Sequence, residues 1–142
     1  MTEIVTLTLN PALDIACDAS AVVPLHKVRT SNTTLDPGGG GIIVARVLTE
    51  LGCAVCAVFP AGGPIGAQLA ALAATQIGAI RSIPIAGTTR ISMTVHDLSI
   101  GQEYRFVADD APADLVDGAE AVGEAGLPDA MRRELRKLGL LS

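Results

Sequence analysis

The residues best suited to chemistry in this sequence are four consecutive glycines, residues 38–41, which a helical pattern follows directly. Backbone without Cβ atoms can take positive φ and lets a ligand come within hydrogen-bond distance of N–H groups. The first N–H groups of a helix are unpaired and lie at the positive end of its dipole. The stretch therefore predicts either a site for an anion or polar ligand or a tight strand-to-helix turn without a ligand.

The glycine run differs from the two common nucleotide fingerprints. A P-loop needs a Lys-Ser/Thr pair after its last glycine, whereas Ile42 and Ile43 follow here. A dinucleotide-binding loop needs a third glycine spaced into the helix, where Ile43 or Val44 stands. Phosphate can bind at such a turn, but the run identifies neither ATP nor NAD.

Other reactive side chains are isolated in the sequence. Asp14 follows a predicted strand, where open α/β sheets place ligand-binding groups, but a turn or capping role explains it better on this pattern alone. Cys53 and Cys56 form a C-x-x-C in an apolar run without a second pair, which favours buried small side chains over zinc or redox chemistry. His96 has no base or metal partner nearby in the pattern. No metal site is predicted.

The elements that must position these residues alternate between strands and helices. The predicted strands and helices are, in order, residues 4–9, 41–51, 53–59, 65–77 and 80–85. This order predicts a parallel sheet with right-handed crossovers. In the first helix, the apolar period predicts a buried stripe of Val44, Val47, Leu48 and Leu51.

Two further stretches predict a small β flap. Residues 16–35 are polar and extended, and alternation would put Lys27 and Arg29 on one side of a strand, unless they are simply solvated. Residues 91–96 and 103–107 alternate as a hairpin with one apolar face. A hairpin alone is marginally stable, so that face needs the flap strands or another subunit as its partner.

The end of the chain differs in composition from the rest. Residues 108–126 are rich in Ala, Asp, Glu and Gly and lack an apolar period. Asp129 can cap a short helix over residues 130–138, whose apolar side carries Met131 and Leu135. A docking or membrane-surface helix has this pattern, but a loosely attached terminal helix is the simpler interpretation.

Composition excludes several classes of function. A chain of 142 residues that is 49% hydrophobic fits one globular domain with a real core. A net charge of −5 argues against a nucleic-acid partner, and no apolar run is long enough to span a membrane. An N-terminus without a basic region, together with an odd count of three cysteines, predicts a cytoplasmic protein.

Several motifs together resemble the PfkB sugar kinases, a ribokinase-like family, and most of all its phosphofructokinase branch. The matching motifs are residues 6–14 (Thr-Leu-Thr-Leu-Asn-Pro-Ala-Leu-Asp), 36–46 (Asp-Pro, four Gly, Ile-Ile-Val-Ala-Arg), 59–63 (Phe-Pro-Ala-Gly-Gly) and 101–107 (Gly-Gln-Glu-Tyr-Arg-Phe-Val). The resemblance implies an α/β fold, here a truncated ribokinase-like parallel sheet with flanking helices plus a small β lid. In this family the lid often serves as a dimer interface.

The resemblance also implies a division of the chain and roles for its residues. Residues 1–107 would be the N-terminal sugar-binding region and lid, with lid strands at about 16–35 and 90–107, and residues 108–142 a divergent tail. Asp14 would hold sugar hydroxyls, with Gly38 and Gly39 against the sugar, because carboxylates accept from hydroxyls. The cations near the substrate phosphate would be Lys27, Arg90 and Arg105. The implied ligand is a fructose phosphate or related sugar phosphate.

Two departures from the family pattern limit this reading. The motif Gly-Ile-Asn-Val-Ala-Arg has Ile43 in place of the Asn that hydrogen-bonds substrate, a loss of about 1–3 kcal/mol. The Gly-Ala-Gly-Asp motif, which carries the family's catalytic base and adjoins its ATP pocket, does not occur in the sequence. Most of the site for the implied cofactors ATP and Mg²⁺ would therefore be absent from this sequence. No catalytic residue is assigned.

Three interpretations remain open on these grounds. The chain is the N-terminal part of a PfkB kinase, retaining the sugar-phosphate site but inactive alone. Alternatively, it is a non-catalytic module that binds a sugar phosphate or forms a dimer through its lid. The unfamiliar composition after Val107 also fits a frameshifted remnant.

Overall fold

A computed structural model of the chain describes residues 4–108 and 129–139. The composition-based prediction for residues 109–126 lies outside the described residues. In chain order the elements are β1 (Ile4–Leu7), β2 (Ala12–Ala19), β3 (Thr30–Gly38), α1 (Gly40–Glu50), β4 (Val55–Ala61), α2 (Gly63–Gln76), β5 (Ala79–Pro84), β6 (Arg90–Asp97), β7 (Gln102–Val107) and α3 (Asp129–Lys137).

Three strands form a parallel sheet in the order β1-β4-β5. Its register pairs Ile4 with Val55 and Cys56 with Ala79, and helices α1 and α2 make the two crossovers. The predicted α/β class, with its parallel sheet and flanking helices, is thereby confirmed. Strand β1 ends at Leu7 rather than Leu9, and β4 continues through Pro60 instead of stopping before it.

Four strands form the second sheet, the lid sheet, in the order β3-β2-β6-β7. Strands β2 and β6 run parallel, and each has an antiparallel neighbour on its outer side, β3 and β7 respectively. Asp14 lies inside β2, so the turn or capping role favoured by the sequence pattern is wrong. The chain leaves the parallel sheet where β1 ends at Leu7, and it enters the lid sheet at Ala12, directly after the buried Pro11.

The segment between β2 and β3, residues 20–29, is a loop rather than a strand. Pro24 and Leu25 lie in a turn, and Leu25 has a φ of 64°. A left-handed residue of this kind interrupts strand alternation. The prediction that Lys27 and Arg29 share one side of a strand is therefore wrong, and both are exposed in the loop.

Helix α1 packs on the parallel sheet with a different face from the one its apolar period predicts. Ile42 and Ala45 are buried, and of the predicted stripe Leu48 packs against the core, whereas Val44, Val47 and Leu51 are exposed. The helix start fixes this rotation, since the Thr8 hydroxyl accepts a hydrogen bond from the Ile42 N–H at 3.1 Å. This contact turns the Ile42 side of the first turn toward the end of β1.

The main core lies between the parallel sheet and helices α1 and α2. Its members are largely aliphatic, with Phe59 fully buried at the centre. The cluster consists of Ile42, Ala45, Val55, Ala57, Phe59, Leu69, Ala73 and Ile77. Leu69 and Ala73 form the buried side of α2 in this core.

Helix α3 covers the opposite face of the same sheet. Met131 and Leu135 are buried against Cys56, Val58 and Ile83. The prediction of a loosely attached terminal helix is wrong, because the apolar side of α3 fills a sheet face that α1 and α2 leave open. Among the described residues, no helix is both long and apolar enough to cross a membrane.

We expect Met131→Ala to destabilise the protein by about 2–5 kcal/mol, because it removes a fully buried side chain from the α3 contact. The free energy of unfolding is measured by urea denaturation. The matched control is Arg133→Ala on the exposed side of the same helix, which should change stability by no more than about 0.5 kcal/mol. Equal effects for the two variants would mean that α3 does not pack on the sheet in solution.

Candidate functional site

The polar face of the lid sheet forms one wall of an open cleft of about 450 Å³, which α1 closes from the other side. Strand register brings its side chains together: Asp14 pairs with Asp36 and with Ser92, and Thr94 pairs with Arg105. The residues that line the cleft are Asp14, Ile15, Ala16, Asp36, Pro37, Ile43, Arg46, Ser92, Thr94, His96, Glu103 and Arg105.

Asp14 occupies its position in the cleft because Gly38 has no side chain. A Cβ at Gly38 would lie 2.2 Å from Asp14 Oδ2, far inside van der Waals contact. Burial raises the pKa of Asp14, and the nearby Asp36 carboxylate raises it further, while Arg90 and Arg105 oppose the increase. The site thus presents a half-buried carboxylate between two arginines.

Arg90 holds the first position of β6, in register with Ala12. Its Nη2 donates to the Asn10 carbonyl oxygen at 3.2 Å. The Arg90 Nε and the Asn10 Oδ1 are buried without a hydrogen-bond partner among the residues that the structure describes. An unpaired buried donor and acceptor side by side usually indicate a missing ligand or water. Arg90 itself does not line the cleft but acts electrostatically on Asp14.

Arg105 and Glu103 extend from β7 into the cleft. The Arg105 Nε lies 3.9 Å from Glu103 Oε1, and both side chains remain substantially exposed. The other oxygen of the same carboxylate, Glu103 Oε2, lies 3.9 Å from His96 Nδ1. Long ion pairs in solvent are weak, so the Arg105 guanidinium is available for a ligand.

The glycine turn connects β3 to α1 beside this cleft. Gly39 is the N-cap of α1 with a φ of 131°, a conformation that glycine adopts without strain. The Gly40 and Gly41 N–H groups have no hydrogen-bond partner within residues 4–108 and 129–139. They lie at the positive end of the α1 dipole and can therefore receive an anionic or polar group.

Helix α1 contributes two side chains to the cleft. Ile43 lines it with 44% of its surface exposed, at the position where the sequence analysis found a departure from the family motif. Arg46 also lines the cleft, and its Nη1 donates to Gln76 Oε1 on α2 at 3.3 Å. The cleft wall therefore has an apolar patch next to a cation.

The six predicted binding residues do not all lie at the cleft. Asp14 and Arg105 line the cleft, and Gly38, Gly39 and Arg90 lie at its end around Asp14. Lys27 lies in the exposed loop of residues 20–29 and is not among the lining residues.

Sequence reasoning did not single out several lining residues. These are Asp36, Arg46, Ser92, Thr94 and Glu103. The alternation of the β6 segment already put Ser92, Thr94 and His96 on one face with Arg90. Asp36 could only be found from the strand pairing that brings it opposite Asp14.

ATP and Mg²⁺ do not fit the described residues well. No group of three or more His, Cys, Asp or Glu that could hold a metal ion occurs in residues 4–108 and 129–139. Within the glycine turn, Gly38 packs against Asp14 and Gly39 packs against Thr8, so these two glycines leave no room for a nucleotide phosphate. No step through these groups is therefore derived for this chain.

Two curated proteins are similar to this chain over three quarters of its length. One is the ATP-dependent 6-phosphofructokinase isozyme 2 of Mycobacterium tuberculosis, 48% identical over 105 residues, which are 74% of this chain and 31% of that protein. The other is the enzyme of the same name from Escherichia coli, 40% identical over 107 residues, 75% of this chain and 35% of that protein. The chain thus spans about a third of these relatives. No protein-family model matches it.

Solved structures share the fold. The phosphofructokinase-2 from Escherichia coli in complex with fructose-6-phosphate superimposes with a TM-score of 0.71 at 38% identity, covering 84% of this chain and 39% of that one. The tetrameric inhibited form of the same protein gives a TM-score of 0.70, also at 38% identity, over 84% and 38% of the two chains. A putative ribokinase from Agrobacterium tumefaciens, 14% identical over 76% and 36%, has a TM-score of 0.61 and shares the fold alone.

The parallel sheet, its flanking helices and the lid sheet define the ribokinase-like class. Within that class, the chain is similar to part of the PfkB-type 6-phosphofructokinases.

We expect Asp14→Asn to increase the stability of the protein at pH 7. A raised folded-state pKa means that the ionised carboxylate is unfavourable in the fold, so the penalty is present above that pKa and disappears as the carboxyl is protonated. Because Asp14 is only half-buried, solvent screening limits the gain to about 1 kcal/mol. Thermal midpoints of both proteins are compared from pH 7 downward, and the difference should shrink as the pH falls below the Asp14 pKa.

Asp36→Asn provides the companion measurement. Removing the second carboxylate should lower the pKa of Asp14, which carboxylate-resolved NMR titration reports directly. If Asp14→Asn were instead less stable than the parent at pH 7, the attraction of Arg90 and Arg105 would outweigh burial and the proposed electrostatics would be wrong.

Proposed function

We propose that the cleft binds a fructose phosphate or a closely related sugar phosphate. The observation that carries this proposal is the half-buried Asp14 carboxylate, seated against Gly38 and placed between Arg90 and Arg105. A carboxylate accepts hydrogen bonds from sugar hydroxyls, and guanidinium groups bind phosphate through paired N–H donors. Within residues 4–108 and 129–139, the Gly40 and Gly41 N–H groups at the start of α1 are further unpaired donors.

The relatives support this choice of ligand. Curated relatives of the chain are named 6-phosphofructokinases, and one solved relative holds fructose-6-phosphate. We infer that the family activity is ATP-dependent phosphoryl transfer to a fructose phosphate in the cytoplasm, with Mg²⁺ as the expected metal. The 142 residues lack the Gly-Ala-Gly-Asp motif, so we expect them to bind the sugar phosphate without transferring phosphate by themselves.

Ile43 weakens the proposed binding relative to the family pattern. It presents an apolar surface to a cleft whose other walls carry Asp14, Ser92 and Arg105. A sugar hydroxyl that meets Ile43 loses a hydrogen bond it had in water. We therefore expect an affinity roughly 5–100 times weaker than a site with a polar side chain at this position would have.

Arg105→Ala should weaken the binding of fructose 6-phosphate by roughly 10–100-fold, because one charged hydrogen-bond donor to the phosphate is lost. Isothermal titration calorimetry with the pure chain measures this change. Arg105 is exposed, so its removal leaves the fold intact, whereas Arg90→Ala also loses the bond to Asn10.

Control titrations separate a specific phosphate contact from a general charge effect. Arg29→Ala, an exposed arginine in the loop outside the cleft, should bind as the parent does. The affinity of Lys27→Ala tests whether the loop of residues 20–29 contacts the phosphate, since a loss of affinity would indicate such a contact. Ile43→Asn should bind more tightly than the parent. Absence of binding heat at any concentration of fructose 6-phosphate or fructose 1-phosphate, for the parent and for Ile43→Asn, would refute the proposed ligand.

A second proposal concerns the apolar face of the lid sheet. We propose that two copies of the chain associate through it, and the tetrameric form of the Escherichia coli relative supports association in this family. An apolar groove of about 250 Å³ runs along this face. It is lined by Val22, Val28, Thr30, Met93, Val95, Tyr104 and Phe106. Exposed apolar patches of this kind usually mark interaction sites.

We expect Phe106→Glu to convert the dimer to a monomer, because the charge would be buried without a partner. The adjacent Val107 is the matched control: the two side chains are exposed to 57% and 56%, but alternation puts them on opposite faces of β7. Analytical ultracentrifugation measures the mass of both variants. A monomeric parent, or a Val107→Glu variant that dissociates equally, would exclude this interface.

A further inference from the structure

Asp97 is a buried carboxylate at the end of β6, with 3% of its surface exposed. Because side chains alternate along a strand, Asp97 lies on the same apolar face of the lid sheet as Met93 and Val95. A charge buried among apolar side chains is unfavourable unless hydrogen bonds satisfy it. Asp97 does not line the ligand cleft, so the proposed ligand does not account for its burial.

The hydrogen-bond donors to Asp97 come from two different segments of the chain. Its Oδ2 accepts from the Val22 N–H at 2.9 Å, in the loop of residues 20–29. Its Oδ1 accepts from the Ser99 N–H at 2.9 Å and from the Ser99 hydroxyl at 2.6 Å. The bonds from the Ser99 hydroxyl and the Val22 N–H hold the pKa of Asp97 below its usual value, so the carboxylate is ionised at neutral pH. One carboxylate thus joins the loop after β2 to the turn between β6 and β7.

The bond to Val22 folds the loop back over the apolar face. Strand β2 ends at Ala19, which is in register with Asp97. Only three residues later the Val22 N–H donates to the Asp97 carboxylate, so the chain reverses onto the sheet at once. The Val22 side chain packs against a buried cluster on this face, which consists of Cys17, Ala19 and Val95. The loop therefore covers this end of the apolar face.

The anchored loop forms one wall of the apolar groove on the lid sheet. Val22 and Val28 line the groove from the loop, whereas Tyr104 and Phe106 line it from β7. Among residues 4–108 and 129–139, the bond from Val22 to Asp97 is the single hydrogen bond that joins residues 20–29 to the lid strands. The shape of the groove therefore depends on this bond.

We propose that Asp97 is a positioning residue for the lid interface: it holds residues 20–29 on the apolar face and so forms the wall of the groove into which a second copy of the chain packs. This inference rests on the proposed association of two copies through the lid sheet. A loop that is fixed before association need not be ordered during it, which lowers the free-energy cost of binding. Asp97 thus contributes to the affinity of the dimer through the loop that it holds.

Asp97→Asn tests the role of the carboxylate. The amide oxygen can accept from Ser99, but the amide NH₂ group then faces the Val22 N–H, so the bond to the loop is lost. We expect the dissociation constant of the dimer to increase at least about tenfold, as measured by analytical ultracentrifugation. Asp18→Asn is the matched control, because it makes the same chemical change on β2 at a residue bonded to Asn32, and it should dimerise as the parent does.

Hydrogen exchange of the Val22 amide reports the anchor itself. It is measured at a concentration below the dissociation constant of the dimer, so that association does not contribute to protection. The amide should be protected in the parent and should exchange roughly 10–100-fold faster in Asp97→Asn, because its acceptor is lost. The Ile43 amide, which donates to the Gly39 carbonyl oxygen in α1, should exchange equally in both proteins.

Met131→Ala controls for a general loss of stability, since Met131 packs on the parallel sheet and not on the lid. It should leave the dissociation constant unchanged, and an increase equal to that of Asp97→Asn would overturn the inference. An Asp97→Asn variant that dimerises as tightly as the parent would overturn it while the lid interface stands. Rapid exchange of the Val22 amide in the parent would overturn it without any variant. A parent that is monomeric at every concentration would refute the interface and the inference together.

Discussion

The position of the Asp14 carboxylate in the cleft depends on its close approach to the bare backbone at Gly38. Any side chain at residue 38 would collide with this carboxylate, which would then have to turn away from its present position. At Gly39 the backbone takes a φ of 131° and turns into α1. Gly38 thus leaves room for the Asp14 carboxylate, and Gly39 begins α1. This explains why the glycine run is central to the site.

Strand alternation gives the four lid strands two unlike faces. Asp14, Ser92, Thr94 and Arg105 lie on the polar face, and Met93, Tyr104 and Phe106 lie on the apolar one. Because the side-chain period of a strand is two residues, a slip of one residue would exchange both faces at once. The proposed ligand binding and the proposed association of two copies therefore both depend on this one register. The register shift between Ala16 and Asp18 occurs beyond Asp14, so the pairing around the carboxylate is undisturbed.

The sequence pattern correctly predicted the features that depend on residues close together in the chain. The alternation of the β6 and β7 segments gave the hairpin and its apolar face, and the order of strands and helices gave the parallel sheet. The orientation of α1 could not be read from its own period, because Thr8 on another element fixes the rotation of the helix. Likewise, the opposition of Asp36 to Asp14 exists only through pairing of distant strands, and a left-handed residue at Leu25 removed Lys27 from the expected strand.

The prediction that α3 is loosely attached was wrong for a related reason. Its apolar residues are few, so its own composition favours weak attachment; the decisive partner is the sheet face formed by Cys56, Val58 and Ile83. A face of a parallel sheet left open to water is unfavourable, and any amphipathic segment within reach gains by covering it. α3 covers β4 and β5 in this way, and Val5 of β1 packs against the same cluster.

Helix α1 links the cleft to the parallel sheet, and α2 also contacts the lid strands β2 and β3. Every lining residue belongs to β2, β3, β6, β7 or α1, and none belongs to β1, β4, β5, α2 or α3. Helix α1 brings Ile43 and Arg46 to the cleft. Because α1 also packs on β1 and β4, any shift of this helix against the sheet would move Ile43 and Arg46 in the wall of the cleft.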